Sequence, residues 1–150
     1  MIRKAAFVLS LILCGFTAIS QNSKGNLVIV GGGLNPDNKE VYTRMIALAG
    51  GPEKASFAVI PSASGVPVQS WVSISKTLKS YGVKEENIHL ISISVMDDDS
   101  TKDADESKWA GNANDKRLAR TVRNCTGVWF TGGDQMRTML ALTMPDGNPT

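Results

Sequence analysis

Four short apolar runs, each closed by turn-forming residues or a change to polar sequence, limit what this chain can fold into. Asn26-Leu27-Val28-Ile29-Val30 stops at Gly31-Gly32-Gly33, and Phe57-Ala58-Val59-Ile60 stops at Pro61. Ile88-His89-Leu90-Ile91-Ser92-Ile93 is a third, weaker run, and Gly127-Val128-Trp129-Phe130 stops at Thr131-Gly132-Gly133. Short runs without polar alternation suit strands buried on both faces, the condition of a parallel sheet. Strands are therefore expected near residues 26–31, 56–60, 88–93 and 127–131, paired in parallel.

Helical repeats fill the intervals. Val41, Met45, Leu48 and Ala49 recur at helix spacing and run out at Gly50-Gly51. Trp71, Ile74, Leu78 and Tyr81 do the same ahead of Gly82, and Leu118, Val122 and Cys125 form a shorter set. Met136, Met139, Leu140 and Thr143 mark a last helix, ended by Pro145 and Gly147, whose apolar stripe is expected to face the core. Strand–helix alternation of this kind predicts an α/β fold: a doubly wound, mostly parallel three-layer sandwich of the flavodoxin-like type. Residues 97–106 are acidic, apolar only at Ala104, and lack the Gly and Glu of a calcium loop at its sixth and twelfth places, which hold Lys102 and Lys108; they read as a solvated loop. Sheets of this class usually have more than four strands. The final Pro145-Asp146-Gly147-Asn148-Pro149-Thr150 is loop sequence, so residues 21–150 are expected to be the N-terminal portion of a larger domain.

Residues 1–20 have the pattern of a signal peptide. Arg3 and Lys4 precede an apolar run, and Ala18-Ile19-Ser20 offers small residues before a cut ahead of Gln21. The run is short for a membrane span, which needs about 20 residues. Export to the periplasm or the extracellular space is expected, with no membrane attachment after cleavage. Leu11-Ile12-Leu13-Cys14 partly fits a lipoprotein signal, but Leu13 is not the small residue that normally precedes a lipidated cysteine, so lipidation at Cys14 is the weaker alternative. The whole chain carries 16 basic and 14 acidic residues; removing Arg3 and Lys4 leaves 14 of each. That balance gives no electrostatic case for nucleic acid. Cys125 is then the one remaining cysteine, which excludes an internal disulfide and reads as a small core residue. No Cys or His cluster has zinc-ligand spacing, and His89, the only histidine, reads as structural.

In open parallel sheets ligands bind beyond the carboxyl ends of the strands. Three segments belong there. Gly31-Gly32-Gly33-Leu34-Asn35 lacks the third glycine of a dinucleotide fingerprint, since that place holds Pro36. Around Ser64 the nucleophile-elbow glycines are replaced by Ser62 and Val66, so Ser62 and Ser64 read as turn and helix-cap serines. Thr131-Gly132-Gly133-Asp134-Gln135 is the most informative: two glycines between a buried strand and a helix start present backbone N–H groups that suit an oxyanion or a static anion. Asp134 equally suits a helix cap, and the spacing leaves both roles open.

Together Gly25-Asn26-Leu27-Val28-Ile29-Val30-Gly31-Gly32-Gly33, Leu48-Ala49-Gly50-Gly51, Val59-Ile60-Pro61-Ser62-Ala63-Ser64 and Trp129-Phe130-Thr131-Gly132-Gly133-Asp134-Gln135 resemble the cyanophycinase family in order and spacing, across nearly all of residues 24–150. Members are serine peptidases similar to the dipeptidase that acts on N-terminal aspartate, with a class I glutamine amidotransferase-like fold. The resemblance implies hydrolysis of a β-aspartyl-arginine (isopeptide) polymer to dipeptides, with no cofactor and no metal. It implies that Gly133 supplies an oxyanion-hole N–H, that Gln135 contacts the substrate's aspartyl part, and that Asp134 shapes the site. Cyanophycin-like or other isoaspartyl and acidic peptides are the implied substrates, and a homodimer is compatible with it. The family's nucleophile lies in a Gly-Thr-Ser-Ala-Gly stretch after the next strand, and its histidine follows later. Neither is in this sequence, so this chain is expected to be inactive by itself. The alternative is a non-catalytic α/β module that binds a small ligand through the same glycine-rich loops.

Overall fold

A computed structural model describes residues 25–31, 33–143 and 148–150. The expectations that fall on residues 1–20, Cys14, Gly32, Pro145 and Gly147 lie outside the described residues.

The chain is α/β, and its described residues form three parallel strands and four α-helices, in the order α1 (Lys39–Leu48), β1 (Phe57–Ile60), α2 (Pro67–Ser80), β2 (Ile88–Leu90), α3 (Lys116–Asn124), β3 (Gly127–Phe130) and α4 (Gln135–Ala141). The sheet order is β2-β1-β3. Phe57 pairs with Ile88 on one side and Gly127 on the other, and Val59 with Leu90 and Trp129. The parallel alignment expected for these three segments is therefore observed. Strand β2 is shorter than expected: pairing runs one residue past it, where the Ile91 N–H donates to the Val59 carbonyl at 2.9 Å, and then stops.

Central position explains why β1 is buried at all four residues. Alternation sends Phe57 and Val59 to one face, where they pack with Ile46, Ala49, Leu78, Val83 and Ile88. Ala58 and Ile60 point to the other, joined by Ile91, Ile93 and Ala141, with Leu118, Val122 and Cys125 against them. Helices α1 and α2 thus cover one face, and α3 and the end of α4 the other. Tyr42 of α1 stacks on Tyr81 (centroids 4.9 Å apart) and on Trp129 of β3 (5.9 Å), so one aromatic column ties both helices to the sheet. Gly127 makes the Phe57 pairing feasible, because a Cβ there would lie 2.6 Å from the Phe57 ring.

Three expectations are corrected. Residues 26–31 form no strand, and Leu27 and Ile29 are each 84% exposed. The run lines a cavity beside β3 without joining its ladder, so the sheet ends at β3 in the order β2-β1-β3. The methionine stripe of α4 is not core: Met136, Met139 and Leu140 are exposed, while Ala141 makes the buried contact. This helix also ends at Ala141, short of the expected stop. The acidic segment is not wholly solvated, since Glu106 at its end opens a 3₁₀ turn (Glu106–Trp109) and is completely buried.

Candidate functional site

The loops that follow β1 and β3 meet at the carboxyl end of the sheet. Strand pairing continues one step past β1 and β3, with the Thr131 N–H on the Ile60 carbonyl at 3.1 Å. The loops are then tied directly: the Asp134 N–H donates to the Ala63 carbonyl at 2.9 Å. That approach requires Gly133, which has φ +142°, in the region that favours glycine, and no room for a side chain. Asp134 caps α4, its Oδ1 accepting from the Met136 N–H at 2.9 Å, so capping is one role it performs. Gln135 begins the helix and is exposed. The Gly133 N–H has no hydrogen-bond partner among the described residues.

The serines after β1 are committed to structure. Ser62 shares a hydrogen bond with Thr138 of α4 at 2.8 Å. Ser64 pairs with Ser70 at 2.7 Å and accepts from the Val66 N–H at 2.9 Å, holding the turn into α2. Val66 occupies the N-cap place of α2, so Ser64 stabilises the turn before the cap rather than the cap itself. Both serines are buried. Thr131 Oγ1 is buried without a partner among the described residues.

Arg137, which no sequence pattern marks, also reaches this junction. Its Nη1 donates to the same Ala63 carbonyl at 3.4 Å, and the guanidinium lies over Gly65, where a Cβ would be 3.1 Å from Nη1. The ion pairs among the described residues are Lys79–Glu85, Lys84–Glu53, Lys108–Asp105 and Arg117–Asp115, none of which engages it. A single arginine in the first turn of a short helix belongs to no local motif; its relevance comes from packing against the 61–65 loop.

The first glycine loop reaches the same region from the α1 side. Gly33 and Gly132 both line a cavity of about 650 Å³ between residues 25–30, α1 and β3, floored by Tyr42, Phe57 and Trp129. The three segments assigned to the strand ends are therefore gathered in one part of the molecule. His89 is apart from them, on β2 opposite Ala58. Cys125 is half-buried at the end of α3, and its Sγ accepts from Ser56 Oγ at 3.6 Å, as a small structural residue would.

Among the described residues no group of His, Cys, Asp and Glu is arranged to hold a metal ion, and no helix is long and apolar enough to cross a membrane. No protein-family model matches the chain, and no solved structure matches it.

Proposed function

We propose that this chain is the N-terminal part of an exported serine-type peptidase of the cyanophycinase kind, built on a doubly wound flavodoxin-like sheet and acting on β-aspartyl-arginine or related isoaspartyl peptides. The observation that carries the reading is the join between Gly133 and Ala63. It holds a glycine N–H without a partner among the described residues at the carboxyl end of a parallel strand, where a developing oxyanion would need a donor. Gln135, two residues on, opens α4 and is exposed to a polar substrate group. In this reading Asp134 shapes the site by capping α4, and the nucleophile and its histidine come from sequence after Thr150.

A second reading, a binding module without catalysis, draws on a specific feature: the hydroxyls of Ser62 and Ser64 are both engaged, and His89 lies on another strand. The described residues thus contain no serine–histidine pair. The two readings separate in one experiment. The coding sequence is extended past Thr150 and the product assayed on a β-aspartyl-arginine polymer. Dipeptide release that falls about 10²–10³-fold in Gly133→Val, in protein whose circular dichroism shows it folded, would match displacement of one oxyanion donor. Gln135→Ala should weaken substrate binding, with part of the loss in turnover if its bonds tighten in the transition state. Unchanged kinetics for Gln135→Ala in a folded, active protein would remove Gln135 from the site, and a stop codon at 151 would favour the binding module.

A further inference from the structure

We propose that Arg137 is a carboxylate-binding residue of this site, which makes the preferred ligand a peptide or small acid with a free carboxylate. The inference rests on the functional reading above and adds the group that would recognise the acidic end of its substrate.

The argument begins from what the guanidinium does and leaves undone. A guanidinium has five N–H donors in a rigid planar fork that suits a carboxylate in two-point contact. Arg137 donates one of them, through Nη1, to the Ala63 carbonyl. That carbonyl already accepts from the Asp134 N–H, so the bond orients the side chain across the two loops. No acidic side chain pairs with Arg137 among the described residues, and it is half-buried rather than free in solvent. Asp134, the acid closest in sequence, turns its Oδ1 to the Met136 N–H instead. A half-buried cation with one anchoring bond is oriented before ligand arrives, which lowers the ordering cost of binding. Its anchor is the carbonyl against which Gly133 is packed, so a carboxylate on Arg137 would sit beside the proposed oxyanion donor. The neighbouring hydroxyls of Ser62 and Ser64 are already paired, and beside the uncharged Gly133 N–H and Thr131 hydroxyl the arginine is the cation here with donors to spare.

The test is binding by the full chain, followed by calorimetry and amide NMR, with three probes: β-aspartyl-arginine, the same dipeptide with both carboxylates amidated, and succinate. The dipeptide acid should bind wild type about 10- to 100-fold more tightly than its diamide, the usual range for a charge-assisted contact. Arg137→Gln should lose that factor for the acid and leave the diamide unchanged, and Arg137→Lys should recover part of it. The lysine variant keeps the charge, and unshifted Ala63 and Asp134 amide signals in either variant show that the loops remain joined. Equal affinity of wild type and folded Arg137→Gln for the dipeptide acid would overturn the inference while sparing the peptidase reading. Arg137-dependent binding of succinate with no binding of the dipeptide would keep the inference and remove the isopeptide substrate. No saturable binding of any probe would overturn both.

Discussion

The carbonyl oxygen of Ala63 occupies the space that a side chain at Gly133 would need: a Cβ built on Gly133 would lie 2.0 Å from it and 2.6 Å from the carbonyl carbon. The contact is backbone to backbone, so no rotamer change can relieve it. Gly133→Ala should therefore destabilise the protein by roughly 2–4 kcal/mol, combining steric overlap with an unfavourable φ. Gly132→Ala, where a Cβ would meet nothing within 4 Å, is the control and should change stability little. Urea unfolding midpoints of the two variants measure the difference; equal midpoints would refute the packing argument.

Glu106 offers the opposite effect. It is completely buried, and neither carboxylate oxygen accepts a hydrogen bond from a described residue. Burying an unsatisfied polar group costs about 1–3 kcal/mol, and more for a charge. Glu106→Met keeps the volume approximately and removes both oxygens, so it should raise the unfolding midpoint. A lower midpoint would mean that the carboxylate is paired in solution.

The start of α3 should contribute to acid sensitivity. Asp115 caps that helix: its Oδ1 accepts from the Arg117 N–H, and its Oδ2 from the guanidinium at 2.9 Å. The Arg117 hydrogen bonds, side chain first and backbone second, hold the Asp115 carboxyl below the usual carboxylate range. A carboxyl depressed in the folded state stabilises above its unfolded value and loses that contribution as pH falls through the folded value. The stability difference between wild type and Asp115→Asn should be present near neutrality and vanish toward strongly acidic pH. Thermal melts at a series of pH values check this, and a constant difference across the series would count against it.

The outer edge of β3 predicts behaviour in solution. Val128 and Phe130 are about half-exposed at 48% and 51%, and Met136, Met139 and Leu140 of α4 are also open to solvent. An unpaired edge with apolar neighbours favours association and lowers stability. The chain should self-associate at micromolar concentration, and Phe130→Lys should reduce this without lowering the unfolding midpoint by more than roughly 1 kcal/mol in stability, as expected for an exposed position. Sedimentation velocity on both proteins is the measurement, and a monomeric wild type would contradict it.

What the sequence disclosed follows from where each signal arises. The β1 run was readable because a strand with neighbours on both edges and helices on both faces must be apolar at every residue. Strand β3 was readable from the same type of run, although Val128 and Phe130 are half-exposed. Residues 26–31 gave as strong a signal and paired with nothing, because a run records apolarity and not the presence of a partner. At the site, Gly133 and Asp134 stood out through local turn and cap chemistry. Arg137 did not, since its placement depends on α4 meeting a loop more than seventy residues earlier. Glu106 was hidden among acidic neighbours that do face solvent.

The order of the sheet also bears on synthesis. Strand β1 is the first strand made and the one with neighbours on both sides, yet its partner β3 is encoded about seventy residues later: the Ser56 N–H waits for Thr126 Oγ1, 70 positions on. Pairings so distant in sequence close slowly. At ribosomal rates of about 5–20 residues per second, Phe57-Ala58-Val59-Ile60 leaves the ribosome several seconds before its second edge can be covered. Through that interval at least one edge of this apolar tetrapeptide stays open, suited to capture by a chaperone that recognises short extended apolar segments.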